Sequence, residues 1–112
     1  MTQALIVLHA APDPENPRAD TAIRLAGAML TEGKDVRLFL AGQGVLLLQN
    51  AATAEDSTHA LLRELLEIGL EVQCCGSSLK AQGIQELPGG VEKGSMKGLS
   101  AWMSAADEVV CF

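Results

Sequence analysis

The sequence predicts a three-layer α/β/α fold of the flavodoxin-like kind, built on a mostly parallel five-stranded sheet, in one domain that spans residues 1–112. Short aliphatic runs alternate along the chain with segments of helical spacing, and this alternation is typical of a parallel sheet covered on both faces. The chain is 48% hydrophobic but only 3% aromatic, so its core must consist of Leu, Val, Ile, Ala and Met. A length of 112 residues is sufficient for one domain.

The first half of the chain predicts a strand, a helix and a second strand. The continuous apolar run ALIVLH at 4–9, flanked by polar residues, indicates a buried strand. Asn16 and Pro17 predict the start of a helix, with Asn as its N-cap and Pro in the first helical position, and Gly33 predicts its end. The segment DVRLFLA, which begins at Asp35, is the second predicted strand.

The middle of the chain predicts a second helix and a third strand. The segment VLLLQNAA at 45–52 is compatible with a short helix or with a tight apolar loop. Ser57 is the predicted cap of the next helix, and Gly69 is its predicted end. The segment LEVQCC at 70–75 is the third strand, and a short helical turn follows at 77–82. The predicted buried stripe of the second helix consists of Leu61, Leu62, Leu65, Leu66 and Ile68.

The last third of the chain completes the alternation. A short fourth strand is predicted at Val91, and Ser95 is the predicted cap of a final helix. The segment DEVVCF at 107–112 is the fifth strand. Right-handed crossovers between these strands produce the doubly wound layers. The apolar face predicted for the final helix consists of Met96, Leu99, Trp102, Met103 and Ala106.

The net charge of −6 limits the partners to be expected. An acidic domain is repelled by phosphate backbones and anionic lipid surfaces, and its eight basic residues are scattered, so neither nucleic-acid nor membrane binding is expected. No apolar run is long enough to cross a bilayer, and we interpret the N-terminal run as a strand and not as a signal peptide. An odd number of cysteines, three, indicates free thiols and hence a cytoplasmic location.

In a parallel α/β fold the site lies beyond the carboxyl ends of the strands. Three segments of this chain are expected to meet there, at 9–16, 42–45 and 75–79. Cys75 is the strongest nucleophile among their side chains. Further candidates to shape the pocket around it are His9, Asn16 and Gln43.

Cys75 is expected to end a strand directly before a helical turn. The positive end of that turn, with Lys80 nearby, favours thiolate over thiol. The backbone amides expected to point toward the sulfur are those of Gly76, Ser77 and Ser78.

A second interpretation of the cysteines remains open, because a cysteine in a strand is more often a small buried hydrophobic residue. Strand alternation points Cys74 and Cys75 to opposite faces or ends of the strand, and Cys74 is expected to pack in the sheet. Cys111 lies between Val110 and Phe112 in the last strand and is expected in the core.

Other site chemistries have little support in the sequence. A metal ion needs three or four convergent ligands, and only His9 and His59 could join the cysteines, which form no CxxC motif, so no metal site is expected. Neither GxGxxG nor GxxxxGK[ST] is present, so no nucleotide is indicated. Ser77 lacks the GxSxG surroundings of a serine hydrolase.

The segment VQCCGSSLKAQGI resembles the cysteine motif of the DsrE/DsrF/TusD group of sulfur-relay proteins. In that motif an apolar strand is followed by Cys-Gly-x-Cys/Ser-Leu-x-x-Arg-Gly and an aliphatic residue. Cys75 occupies the position of the reactive cysteine, and Gly83 follows eight residues later, as the motif requires. The closing segment ADEVVCF is similar to the last strand of the family, and RADTAIRLAGAMLTEGKDVRLFLAGQGV resembles its first half. The resemblance covers essentially the whole chain.

This resemblance implies a compact domain that assembles as homotrimers or homohexamers. It implies that Cys75 accepts sulfane sulfur from a donor protein as a persulfide and passes it to an acceptor protein without a cofactor, in tRNA thiolation or in sulfur oxidation. Two positions depart from the pattern. Gln82 stands in place of an Arg, which weakens anion binding or removes a hydrogen-bond fork that fixes the loop. Ser78 stands where some members have a second cysteine, so a two-thiol mechanism is not expected.

Two other functions remain open at this point. The chain could be a DsrE-fold oligomeric interaction protein without transfer activity, because its aliphatic content leaves apolar surface that oligomerisation would cover. Slow alkylation and an ordinary pKa of Cys75 would favour that function. A flavodoxin-like binder of a small molecule would instead be purified with its ligand bound.

Overall fold

The computed structural model describes residues 2–112, and these residues form an alternating series of strands and helices. All strand pairs are parallel, in the order β4-β3-β2-β1-β5, which confirms the predicted α/β fold and makes the sheet parallel throughout. The elements are β1 (Gln3–Leu8), α1 (Arg18–Thr31), β2 (Asp35–Leu40), a 3-10 helix (Gly42–Leu48), α2 (Ser57–Glu67), β3 (Glu71–Cys75), α3 (Gly76–Ala81), β4 (Val91–Gly94), α4 (Met96–Ala105) and β5 (Glu108–Cys111).

The two faces of the sheet are covered unequally. Side chains alternate between the faces along each strand, so Ile6 and Leu38 lie on the face covered by α1 and α2, and Phe39 lies on the other. That second face is covered by α4, whose Leu99 is buried. The ring of Trp102, also in α4, meets the Phe39 ring edge-on at 6.3 Å between centroids. The three predicted layers are therefore present.

The start of α1 differs from the prediction. Pro17 is the N-cap, without a side-chain capping hydrogen bond, and the helix begins at Arg18. Asn16 does not cap the helix, because it belongs to the preceding turn, where its N–H donates to the Asp13 carbonyl at 3.1 Å. The predicted end of the helix is confirmed, since α1 stops two residues before Gly33, which has a φ of 85°.

The starts of the later helices show one correction and one confirmation. Asp56, and not Ser57, is the N-cap of α2, because its carboxylate already accepts the hydrogen bond from the His59 N–H at 3.2 Å. Ser95 is the N-cap of α4, as predicted, and its hydroxyl oxygen accepts from the Gly98 N–H at 3.1 Å. Among residues 2–112, no helix combines the length and the apolarity that a bilayer crossing requires.

The ambiguous segment at 45–52 is half helical, since the 3-10 helix covers its first four residues and a turn covers the rest. Side chains of α2 hold the segment in place. His59 Nε2 lies 2.8 Å from the Leu47 carbonyl oxygen, and Arg63 donates to the carbonyl oxygens of Ala51 and Ala54, both at 2.8 Å.

Three side chains predicted for buried helix faces are exposed. Ile68 lies beyond the end of α2 as its C-cap, and it is 67% exposed. In α4, Leu99 is buried, but Met96 and Met103 are 54% and 41% exposed, because the helix turns only part of its apolar surface to the sheet.

The prediction that Cys111 lies in the core is wrong, because β5 is an edge strand. Cys111 pairs with Val7 of β1, on the face that α4 covers, but α4 leaves this edge open. As a result Cys111 is exposed, and Val109 on the same face is 45% exposed. Val110 points to the opposite face and packs against the larger core cluster.

Candidate functional site

The carboxyl edge of the sheet aligns residues from three neighbouring strands. The register pairs Leu8 with Leu40, and Leu40 with Cys74, in one row of side chains. The next residue of each strand belongs to the following row, whose side chains project from the opposite face, the one covered by α4. The members of this second row are His9, Ala41 and Cys75.

Cys75 is both the last residue of β3 and the N-cap of α3. Its side chain is 8% exposed and belongs to the smaller apolar cluster beneath α4. The sulfur is therefore largely shielded from water, although it lies at the edge where the sheet ends. The other buried members of this cluster are Leu5, Val7, Phe39, Ala41 and Leu99.

The start of α3 makes the Cys75 thiol more acidic than an ordinary thiol. The Ser78 hydroxyl is the largest influence, and it lowers the pKa of Cys75 by donating to the sulfur. Burial acts in the opposite direction, and the backbone N–H groups of Ser78 and Ser77 lower the pKa further. The sulfur lies outside strict capping geometry, so these N–H groups stabilise the thiolate mainly as oriented dipoles.

The Ser78 hydroxyl is itself held by the loop that follows β2. The Gly42 N–H donates to Ser78 Oγ at 2.8 Å, which leaves the hydroxyl proton free to point at the Cys75 sulfur. The His9 ring lies against Gly42, where any Cβ would collide with it, and Gly42 also has a φ of 55°. A glycine is therefore required at this position.

Cys74, the neighbouring cysteine, lies in a different environment. Its side chain is fully buried in the larger core cluster on the opposite face of the sheet, as predicted. Its Sγ lies 3.5 Å from the Glu92 carbonyl oxygen, to which the thiol donates. Burial raises the pKa of Cys74 to about 11, with a further contribution from Cys75, against a smaller opposing effect of Lys93. Cys74 is thus a protonated packing residue.

Comparison with known proteins identifies the family. Residues 3–112 match the model of the DsrE/DsrF-like family. The chain belongs to this family. The resemblance seen in the cysteine motif is therefore confirmed over essentially the whole DsrE-like chain.

Relatives of this DsrE-like chain occur in archaea and bacteria. It is 35% identical over 111 residues to the uncharacterized protein MK0008 of Methanopyrus kandleri, covering 96% of this chain and 91% of the relative. It is 33% identical over 99 residues to the uncharacterized protein MJ0989 of Methanocaldococcus jannaschii, covering 85% and 87%. The crystal structure of the ychN protein from E. coli superposes with a TM-score of 0.82 at 29% identity, over 100% of both chains.

A further solved structure, the protein of unknown function MTH1491 from Methanobacterium thermoautotrophicum, has a TM-score of 0.78 with 14% identity over 100% of both chains. At that identity the likeness concerns the fold alone. The two superpositions together support the three-layer architecture of the DsrE-like chain.

The structure brings some of the predicted site residues together and leaves others apart. Of the three expected segments, 42–45 and 75–79 are joined by the hydrogen bond from the Gly42 N–H to Ser78 Oγ. His9, from the segment 9–16, lies against Gly42. Asn16 is an exposed turn residue with no side-chain hydrogen bond to the cysteine loop in the described part of the chain, so the structure does not support its place in the pocket.

The remaining predicted residues lie in the 3-10 helix, in α3 or at the C-cap of α3. Gln43 is exposed on the 3-10 helix, and Lys80 is exposed in the last turn of α3. Gln82 is the C-cap of α3, where its N–H donates to the Ser78 carbonyl at 3.0 Å. Gly76 and Ser77 occupy the first turn, with the Ser77 side chain exposed. Within residues 2–112, no three His, Cys, Asp or Glu side chains converge as metal ligands.

Two contributions to the site were missed by the sequence analysis. The first is the Gly42 N–H, which fixes Ser78. The glycine two residues after β2 was the available signal, because a glycine at a strand end often permits close approach of another segment. The second is Leu99 of α4, which covers the cysteine face. The sequence shows Leu99 on an apolar helix face, but it does not show which strand end that face covers.

Proposed function

We propose that this chain carries sulfane sulfur as a persulfide on Cys75 and passes it to an acceptor protein. The observation that supports this proposal most strongly is the setting of the Cys75 sulfur, whose pKa is lowered first by the Ser78 hydroxyl and then by the amides of Ser78 and Ser77. The thiolate is the form that attacks a sulfur–sulfur bond. Membership of the DsrE/DsrF-like family supports the same chemistry by analogy.

The proposed transfer has two displacement steps. In the first, the Cys75 thiolate attacks the terminal sulfur of a donor persulfide, R–S–SH, so that a new bond forms to Sγ, the S–S bond of the donor breaks, and the donor leaves as the thiolate R–S⁻. In the second, the thiolate of the acceptor attacks the terminal sulfur of the Cys75 persulfide, and Cys75 leaves as a thiolate. The transferred sulfur keeps its oxidation state, so the balance requires no cofactor.

The surrounding groups suit both steps. Negative charge leaves Sγ when the persulfide forms and returns to Sγ when the sulfur departs. The Ser78 hydroxyl and the two amides stabilise that charge without moving, which lowers the barrier of the second step in particular. The Gln82 side chain is neutral, so the charge-stabilising role falls on these donors and not on a guanidinium at that position.

Mass spectrometry of loaded variants tests the proposal. Because Cys111 is exposed and could take up sulfur outside any site, the parent protein for this test is Cys111→Ser. After treatment with a sulfane donor, the parent is expected to gain about 32 Da, one sulfur atom, and Cys75→Ser in that background to gain nothing. Cys74→Ser is the matched control and should load like the parent. Equal loading of the Cys75→Ser protein would refute the proposal.

An oligomeric interaction protein without transfer activity is the second candidate. It is favoured by the exposed apolar side chains of Met96, Met103 and Val109, which are 54%, 41% and 45% exposed. Assembly as a homotrimer or homohexamer in the cytoplasm would cover such surface. Light scattering of the purified chain measures the assembly, and Val109→Lys should weaken it. An assembled protein whose Cys75 reacts like an ordinary thiol would favour this candidate over the carrier.

A further inference from the structure

We propose that the cavity beside α3 binds the carboxylate end of the sulfur donor, and that the donor is a low-molecular-weight persulfide carrying free carboxylates. This inference rests on the proposed function of Cys75. The cavity has a volume of about 430 Å³, large enough for a short peptide. It lies between α3, the segment after α3, and Lys93 of β4.

The two charged residues that line this cavity are both positive. Lys80 and Lys93 line it, and no acidic residue does. Neither lysine takes part in an ion pair within residues 2–112, although the chain has 14 acidic and eight basic residues. Glu92 precedes Lys93 in β4, and strand alternation turns its side chain to the other face of the sheet. Two unpaired ammonium groups at one cavity of an acidic protein favour an anionic ligand.

The cavity has an apolar wall as well as a charged one. Its apolar lining consists of Leu79, Ile84 and Leu87. Leu79 is buried, and the other two are half-buried against the larger core cluster. A ligand that combines carboxylates with a short methylene chain matches this surface better than a small inorganic anion does, because the methylene groups replace water on the apolar wall.

Gly76 is the lining residue of the cavity that is nearest to Cys75 in the sequence. It lines the cavity and directly follows Cys75 in the chain. The Lys93 side chain packs against it so closely that a Cβ on Gly76 would lie 3.3 Å from Lys93 Cδ. The Cys75 side chain points to the opposite face of the sheet. The donor would therefore extend around the end of β3 at Gly76, while its carboxylates contact Lys80 and Lys93. The transfer step is the first displacement above, with a carboxylate-bearing R group.

Binding and loading are measured separately. S-methylglutathione, an inert thioether with two carboxylates, is titrated into the ¹⁵N-labelled Cys111→Ser protein, and its diethyl ester, which lacks both carboxylates but keeps the ammonium group, is the control. The acid should shift the amide resonances of Gly76 and Gly83, and the ester should not. Lys93→Gln, which leaves α3 intact, and the double variant Lys80→Gln/Lys93→Gln should weaken binding. The matched double variant Arg18→Gln/Lys97→Gln removes two exposed charges outside the cavity and should bind like the parent.

Loading is then compared between glutathione persulfide and its diethyl ester. The anionic donor should load Cys75 roughly threefold to tenfold faster, because each exposed ion pair contributes modestly, and the lysine double variant should lose that preference. Equal loading from both donors would overturn this inference and leave the persulfide carrier intact. Binding that persists in the lysine variants would overturn it as well. Loading from neither donor would overturn the proposed function, and with it the assignment of the donor.

Discussion

Replacement of Ser78 by alanine is expected to slow the reaction of Cys75 and to destabilise the fold at the same time. The Ser78 hydroxyl accepts a hydrogen bond from the Gly42 N–H at 2.8 Å, and it is the largest influence that lowers the pKa of Cys75. Ser78→Ala removes both interactions. It leaves the backbone amides of α3 in place, because alanine is well tolerated in a helix.

The size of both effects follows from the groups left without a partner. A hydrogen bond to a charged group contributes about 1.5–3 kcal/mol, and 1.4 kcal/mol corresponds to a factor of ten, so the alkylation rate of Cys75 at neutral pH should fall by at least about tenfold. The Gly42 N–H loses its acceptor in a part-buried position, which should cost about 1 kcal/mol of folding free energy.

The assay is the rate of alkylation by iodoacetamide as a function of pH, in the Cys111→Ser background, with urea denaturation for stability. Ser77→Ala is the matched control, because the exposed Ser77 side chain makes no hydrogen bond among the described residues while its amide remains. The pH profile of Ser78→Ala should move to higher pH. An unchanged profile, or an equal change in Ser77→Ala, would refute the role assigned to the hydroxyl.

Three further predictions concern stability. Gly42→Ala should cost about 1–3 kcal/mol in urea denaturation, because the new methyl group collides with the His9 ring and the φ of 55° disfavours it. The Cys74 thiol loses its proton near pH 9 in the unfolded chain, but only near pH 11 in the folded chain. The contribution of this thiol to the free energy of unfolding is therefore constant below pH 9 and decreases between pH 9 and pH 11. This effect should lower the free energy of unfolding by up to about 2 kcal/mol, and Cys74→Ala should not show it. Arg63→Met removes two hydrogen bonds to carbonyls at 51–54 and should speed amide hydrogen exchange in that segment.

Alternation along the strands was the most reliable guide to the fold and to the two adjacent cysteines. It placed Cys74 and Cys75 on opposite faces, and the structure has them in separate apolar clusters. The same pattern gave the wrong burial for Cys111, because alternation identifies the face of a strand but not its place in the sheet. The crossover by α4 carries β5 to the free edge beside β1, and that edge is uncovered.

The site was predicted to the level of segments and not of contacts. The carboxyl ends of parallel strands share one edge, so the convergence of the β2 and β3 loops followed from the order of elements. The hydrogen bond between Gly42 and Ser78 did not, because it depends on how closely two loops approach. The prediction that Asn16 caps α1 was wrong for a related reason, because an asparagine before a proline suits a helix cap and the preceding turn equally well.

The positions of the three thiols bear on whether Cys75 could act as a redox switch instead of a carrier. Cys74 is buried on the opposite face, and β5 with Cys111 lies three strand spacings from β3, roughly 14 Å across the sheet. A disulfide requires Cα atoms within about 7 Å. Ser78, in the first turn of α3, offers a hydroxyl where a second thiol would otherwise face the sulfur. A persulfide on Cys75 therefore has no thiol within residues 2–112 to attack it, and its sulfur can leave only to another molecule.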